Sequence, residues 1–150
     1  QQHVLNLTVS DHDPIFLDDI NKRSPTHWLP NTECINPLLQ PVAGTYYGIY
    51  LLDVLEHISQ VDEDLFIRNI LSALDPQGSL VIGMPSLPSQ QYASEKSRMG
   101  HVNCKSGDQL ALLMKEYFSN VSIFSMNDEV VHTGYWDMSH YLFAVCTHLY

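Results

Sequence analysis

The residues of this chain best suited to chemistry are Asp53, Glu56 and His57, which stand together in one D-x-x-E-H run. On a helical turn, positions three and four apart share a face, so two carboxylates and an imidazole can converge there. Such a donor set suits a divalent cation such as Mg²⁺ or Mn²⁺, and His101, farther along, would complete it. The same residues have a plainer use: Glu56 can cap the following helix or accept bonds from amides, and His57 can bond to backbone. His101 is the candidate general base, weighed against the simpler reading of a loop residue lining a pocket. Cys34, Cys104 and Cys146 are odd in number and widely spaced, with no C-x-x-C pair. Neither a disulfide framework nor a zinc knuckle is indicated, and a reducing, cytoplasmic compartment is expected. The absence of a G-x-S-x-G elbow disfavours a small hydrolase.

Groups this far apart in sequence meet only if a sheet and its helices bring them together. A strand is expected over residues 3–9, ending in the turn Ser10-Asp11-His12-Asp13-Pro14, and a helix over 15–23 with Ile15, Leu17 and Ile20 on its apolar side. Pro25, Pro30, Pro37 and Pro41 break the next stretch, leaving room for a short strand at 32–35. The run Tyr46-Tyr47-Gly48-Ile49-Tyr50-Leu51-Leu52 reads as a strand buried on both faces. A helix over 61–74 follows, opened by Ser59 with Asp62 and striped by Ile67, Ile70, Leu71 and Leu74. Asp75-Pro76-Gln77-Gly78 stops it, and 79–84 is a short buried strand.

Residues 85–105 are polar and lack periodicity, as in a substrate-facing loop. Ser106 and Gln109 form a capping box for a helix whose apolar stripe is Leu110, Leu113, Met114 and Tyr117. Strands at 120–126 and 140–146 close the chain, with Tyr135, Trp136 and His140 between or beside them as possible borders of a site. This order of elements indicates a single α/β domain over residues 1–150.

Bulk charge narrows the partners. Seventeen acidic residues against seven lysines and arginines give a net charge of −10, which repels a phosphate backbone. Direct nucleic-acid backbone binding is therefore not expected. Nor is a membrane span, because no apolar run approaches the roughly 18 residues required.

The segment from Tyr50 through Asp53, Leu55, Glu56 and His57 to Ile58 resembles the fourth-strand motif of class I S-adenosylmethionine-dependent methyltransferases, where an apolar strand runs into a D-V-L-E-H-type turn. The D-P-x-G turn, the strand that follows it, Gly100-His101-Val102-Asn103 and the two closing strands are similar to that family as well, so the resemblance covers residues 4–149. It implies a Rossmann-like, mostly parallel sheet with a C-terminal antiparallel hairpin, and S-adenosyl-L-methionine as cofactor. The opening strand would correspond to the family's second strand, whose terminal acid binds the ribose hydroxyls. Asp11 is the candidate, with Asp13 as fallback, since one carboxylate accepts two hydrogen bonds. Asn36 would lie near the adenine, and Leu52 with Asp53 near the cofactor's amino-acid end. Some relatives with an acidic L-E-H turn hold a metal that chelates substrate oxygens.

One departure is plain: no E/D-x-G-x-G-x-G turn precedes His3, so the family's first strand and helix are expected to be missing. That would leave two strand edges open. Direct pairing of those edges, a strand from another chain, or a swapped homo-oligomer would each close the gap, with the latter two preferred. The expected activity is methyl transfer to a small-molecule or modified-biopolymer acceptor. The alternative is a non-catalytic binding or dimerisation module.

Overall fold

The computed structural model describes residues 6–23, 31–128, 130–134 and 136–150. The first half of the expected opening strand and Tyr135 lie outside them. Two sheets result. Strand β1 (Thr8–Asp11) pairs in parallel with β2 (Asn31–Cys34), and α1 (Pro14–Arg23) crosses between them. The larger sheet is built from β3 (Tyr46–Leu52), β4 (Leu74–Pro85), β5 (Phe118–Asn127), β6 (Val130–His132) and β7 (Tyr141–Leu149), in the spatial order β3-β4-β7-β5-β6. β3 and β4 are parallel, while β7 runs antiparallel to both of its neighbours.

Register explains the core. Leu80 lies opposite Cys146, Ile82 opposite Ala144 and Met84 opposite Leu142, and all six are fully or almost fully buried. On this face they join Phe66, Ile67 and Ile70 of α2 (Glu63–Leu71) and Leu110 and Met114 of α4 (Gly107–Lys115) in one cluster. Alternation along the strands and a three-to-four spacing along the helices put these residues on facing surfaces. Each buried Leu, Ile, Phe or Met contributes about 1.5–3 kcal/mol of hydrophobic stabilisation relative to exposure. The α4 capping box forms as expected: Ser106 Oγ accepts from Gln109 N, and the Gln109 side chain accepts from Ser106 N at 2.9 Å.

Four expectations are corrected. β3 is not buried on both faces: Ile49 and Leu51 pack on the core, whereas Tyr47, Tyr50 and Leu52 are 77%, 58% and 44% exposed. Among the described residues β3 is an edge strand, with β4 on one side and no strand on the other. Ile15 on α1 is 75% exposed, and Leu17 supplies that helix's burial. The helix expected over 61–74 begins two residues later and ends at Leu71, because β4 already starts at Leu74. The connection 85–105 holds a 3₁₀ turn (Pro88–Tyr92) and the short helix α3 (Glu95–Gly100), whose N-cap Ser94 accepts from Ser97 N. β6 adds a hairpin partner to β5 that the sequence pattern did not announce.

Among the described residues β1 and β3 do not pair with each other. The segment between β2 and β3 is held to α2 by Asn69, whose Nδ2 donates to Pro37 O at 2.7 Å and whose carbonyl accepts from Val42 N at 3.0 Å, and Leu38 and Val42 pack against the core.

Candidate functional site

The chemistry-bearing residues gather just beyond the carboxyl ends of β3 and β4. Asp53 leaves β3 with φ of 55° and donates its N–H to Gly83 O at 3.0 Å. A left-handed residue there turns the chain sharply into the 3₁₀ turn Leu55–His57. Gly83 lets the neighbouring side chains approach closely: a Cβ on it would stand 2.7 Å from Leu52 Cδ2 and 2.9 Å from the Tyr141 hydroxyl, which would have to shift. The Asp53 carboxylate accepts from that hydroxyl, and burial with this bond raises the Tyr141 pKa.

The two sequence motifs lock together. Asn103 N donates to Glu56 O at 3.0 Å, and His57 Nδ1 lies 2.9 Å from Gly100 O. Because a carbonyl only accepts, that nitrogen carries a proton. His101 is fixed in the same way, with Nδ1 2.9 Å from Gln90 Oε1. Gln90 is itself oriented by donating Nε2–H to Ser86 O at 3.3 Å. The His101 pKa is held below the ordinary value by burial and then by His57, so the ring is neutral near pH 7.

Glu56 is fully buried, and neither carboxylate oxygen has a hydrogen-bond partner among the described residues. Burial raises its pKa above the usual carboxylate range. An orphaned buried carboxylate costs several kcal/mol unless something pairs with it. One ligand atom each from Glu56, His57 and His101 lies within 4.8 Å of the others, and Glu56 Oε1 is 3.8 Å from His57 Nε2. Asp53, counted with them on sequence grounds, stands outside this group: its exposed carboxylate turns to Tyr141 instead.

Below the group sits a buried polar latch. Lys105 Nζ pairs with Glu63 Oε2 at 2.7 Å, Asn103 Nδ2 donates to the same oxygen at 2.6 Å, and Lys105 Nζ also donates to Asn103 Oδ1 at 3.0 Å. A bridge between Ser86 and Lys105 closes the neck of the connection, with Leu87 N donating to Lys105 O at 2.8 Å. Gln90, Glu63 and Lys105 escaped the sequence reading. Asn103 was visible as part of G-H-V-N, but its anchoring role had no pattern of its own.

At the carboxyl end of β1, Asp11 Oδ1 accepts from Asp13 N at 2.8 Å and lies 3.3 Å from His12 Nδ1. One carboxylate oxygen of Asp13 caps α1 by accepting from Ile15 N at 2.8 Å. Asn36 closes a turn through Leu38 N at 3.0 Å. Asp11 ends a strand of the two-stranded sheet, whereas Glu56 and His57 follow β3 of the five-stranded one.

No family model and no curated protein matches this chain. Solved structures do. The N-methyltransferase NodS from Bradyrhizobium japonicum WM9 is 18% identical with a TM-score of 0.67, over 95% of this chain and 73% of its own. DhpI, in a complex with SAM and HEP, is 14% identical with a TM-score of 0.67, over 94% of this chain and 67% of its own. The S-adenosylmethionine-dependent methyltransferase SibL in its apo form is 10% identical with a TM-score of 0.70, over 95% of this chain and 43% of its own. The chain has a class I methyltransferase fold. It spans about three quarters of NodS and less than half of SibL. Among the described residues no helix is long and apolar enough to cross a membrane.

Proposed function

We propose that this chain is the later part of a methyltransferase domain that moves a methyl group from S-adenosyl-L-methionine to a small-molecule or modified-biopolymer acceptor. The likeness over 94–95% of the chain to NodS, itself known with S-adenosyl-L-homocysteine, and to DhpI with SAM carries this reading. Asp11 is the residue to hold the ribose, because its second carboxylate oxygen is not used in the turn to Asp13. Leu52 and Asp53 would face the amino-acid end, and Asn36 the adenine. Asp13 becomes the weaker alternative to Asp11, since it already caps α1.

Glu56, His57 and His101 are the residues to hold Mg²⁺ or Mn²⁺. Their chemistry fits: one carboxylate without a partner among the described residues and two imidazoles, each ring oriented through Nδ1. A cation held there would lower the pKa of a bound acceptor hydroxyl or fix its oxygens. Without a cation, the neutral His101 is the group able to take the acceptor's proton. Most of the rate in such a transfer comes from alignment of nucleophile and sulfonium.

A second reading, a non-catalytic assembly module, is favoured by the open β3 edge and its exposed Tyr47 and Tyr50. In both readings a homo-oligomer or a partner strand completes the sheet. Calorimetric titration with S-adenosyl-L-homocysteine separates them. Saturable binding that weakens about tenfold in Asp11→Ala supports the transferase; binding absent at millimolar ligand leaves the assembly module.

A further inference from the structure

A cavity of about 490 Å³ opens beside His101, with Arg98, Lys105, Gln60, Gln90 and Cys104 in its wall. Its charge is unlike that of the rest of the molecule. The chain carries 17 acidic residues against seven lysines and arginines, yet this wall includes two of those cations and no Asp or Glu. The Lys105 charge is already matched by Glu63 at 2.7 Å. The Cys104 thiol stays protonated, its pKa pushed up to about 11 chiefly by burial. Lys22, Arg23 and Arg68 each have a carboxylate partner on their own helix, whereas Arg98 has none among the described residues. Its guanidinium is therefore the one uncompensated charge of the wall.

From this we infer that the cavity is the acceptor site and that it takes a carboxylate-bearing organic acceptor, with Arg98 as the specificity-determining residue. This rests on the methyltransferase reading above. A planar guanidinium meets a carboxylate through two parallel N–H···O bonds, a geometry that an ammonium lacks. With Lys105 spent on Glu63, the Arg98 guanidinium is the side chain of the wall left to balance a singly charged carboxylate. Because the chain as a whole is acidic, an anion gains nothing from the long-range field and must be recognised by a local contact. His101 belongs both to this wall and to the group with Glu56 and His57. An acceptor anchored at Arg98 thus extends toward those ligands.

The test uses benzoate and its neutral isostere benzamide as probes, with ligand-observed NMR titrations of the native chain, Arg98→Gln and Arg98→Lys. Arg98 is exposed on α3, so both substitutions should leave the melting temperature unchanged. Native protein should bind benzoate about tenfold more tightly than benzamide. Arg98→Gln should erase the preference, and Arg98→Lys should retain only part of it. Equal affinity of the native chain for both probes, or an undiminished preference in Arg98→Gln, overturns the inference. The S-adenosyl-L-homocysteine titration, run in parallel, keeps the two readings apart. Cofactor binding without a benzoate preference removes the acceptor inference alone. A benzoate preference without cofactor binding removes both the transferase reading and the acceptor role, leaving a plain anion site.

Discussion

His57 and His101 face each other edge to face, with ring centroids 5.2 Å apart and planes inclined by 67°. Each is tied at Nδ1 to an oxygen 2.9 Å away, one from backbone and one from an amide side chain. Two residues separated by more than forty positions thereby each bring a ligand atom within 4.8 Å of one buried carboxylate. The connection between β4 and α4 supplies both oxygens, Gly100 O and Gln90 Oε1, so it sets the tautomer of both imidazoles.

Divalent cations should stabilise the folded chain. At a hundredfold excess over the dissociation constant, linkage adds about 2.7 kcal/mol, a rise of several degrees for a chain of this size. Scanning calorimetry with Mn²⁺ or Mg²⁺ should show that shift in the native chain and lose most of it in His57→Ala and His101→Ala. Asp53→Asn should keep it, because Asp53 stands outside the group. Unchanged melting of the native chain in excess Mn²⁺ and Mg²⁺ would rule the site out.

Glu56 should make the metal-free protein sensitive to pH. Its folded pKa is raised by burial, so its contribution to stability is fully present below the unfolded-state pKa and is lost as pH rises through the folded one. Glu56→Gln holds the uncharged form at every pH. In EDTA the variant and the native chain should melt together near pH 4, and the variant should melt at a higher temperature than the native chain at pH 7. A variant less stable than the native chain at pH 7 would mean that the Glu56 charge has a partner after all.

Local signals proved readable where a few adjacent residues decide the structure. Ser106 and Gln109 fix the start of α4 by bonding to each other's backbone, and the alternation of β5 and β7 follows from one covered face of the sheet. The burial of β3 was misjudged because an apolar run reads the same whether its second face is covered or bare. The pairing of Asp53 with Tyr141 was hidden for a related reason: the strand that brings the hydroxyl lies far along the chain. Glu63 and Lys105 look like surface charges in sequence, and only the tertiary fold buries them.

That buried pair should be costly to break. Lys105→Ala leaves the Glu63 carboxylate with the Asn103 amide alone, and removal of one partner of a buried ion pair costs about 3–5 kcal/mol. Urea unfolding should show the loss at neutral pH. The double variant Lys105→Met with Glu63→Leu should recover much of it, since no charge is then left uncompensated. A loss under about 1 kcal/mol in the single variant would mean that solvent reaches the pair.

The open edge of β3 should drive association. Sedimentation of the native chain is expected to show a dimer or larger species, and Tyr47→Lys with Tyr50→Lys should shift it to monomer by placing charge along the exposed strand. Native protein that sediments as a monomer throughout the micromolar range would leave the edge without a self-partner.

The bridge between Ser86 and Lys105 has one further consequence. Everything between these residues, including Gln90, Arg98 and His101, departs from and returns to a single point on the scaffold. Doubling the length of a closed loop costs only about 0.6 kcal/mol. This stretch therefore behaves as an interchangeable cassette: insertions and exchanges there can retune which molecule is admitted without disturbing a single rung of the β-ladder beneath.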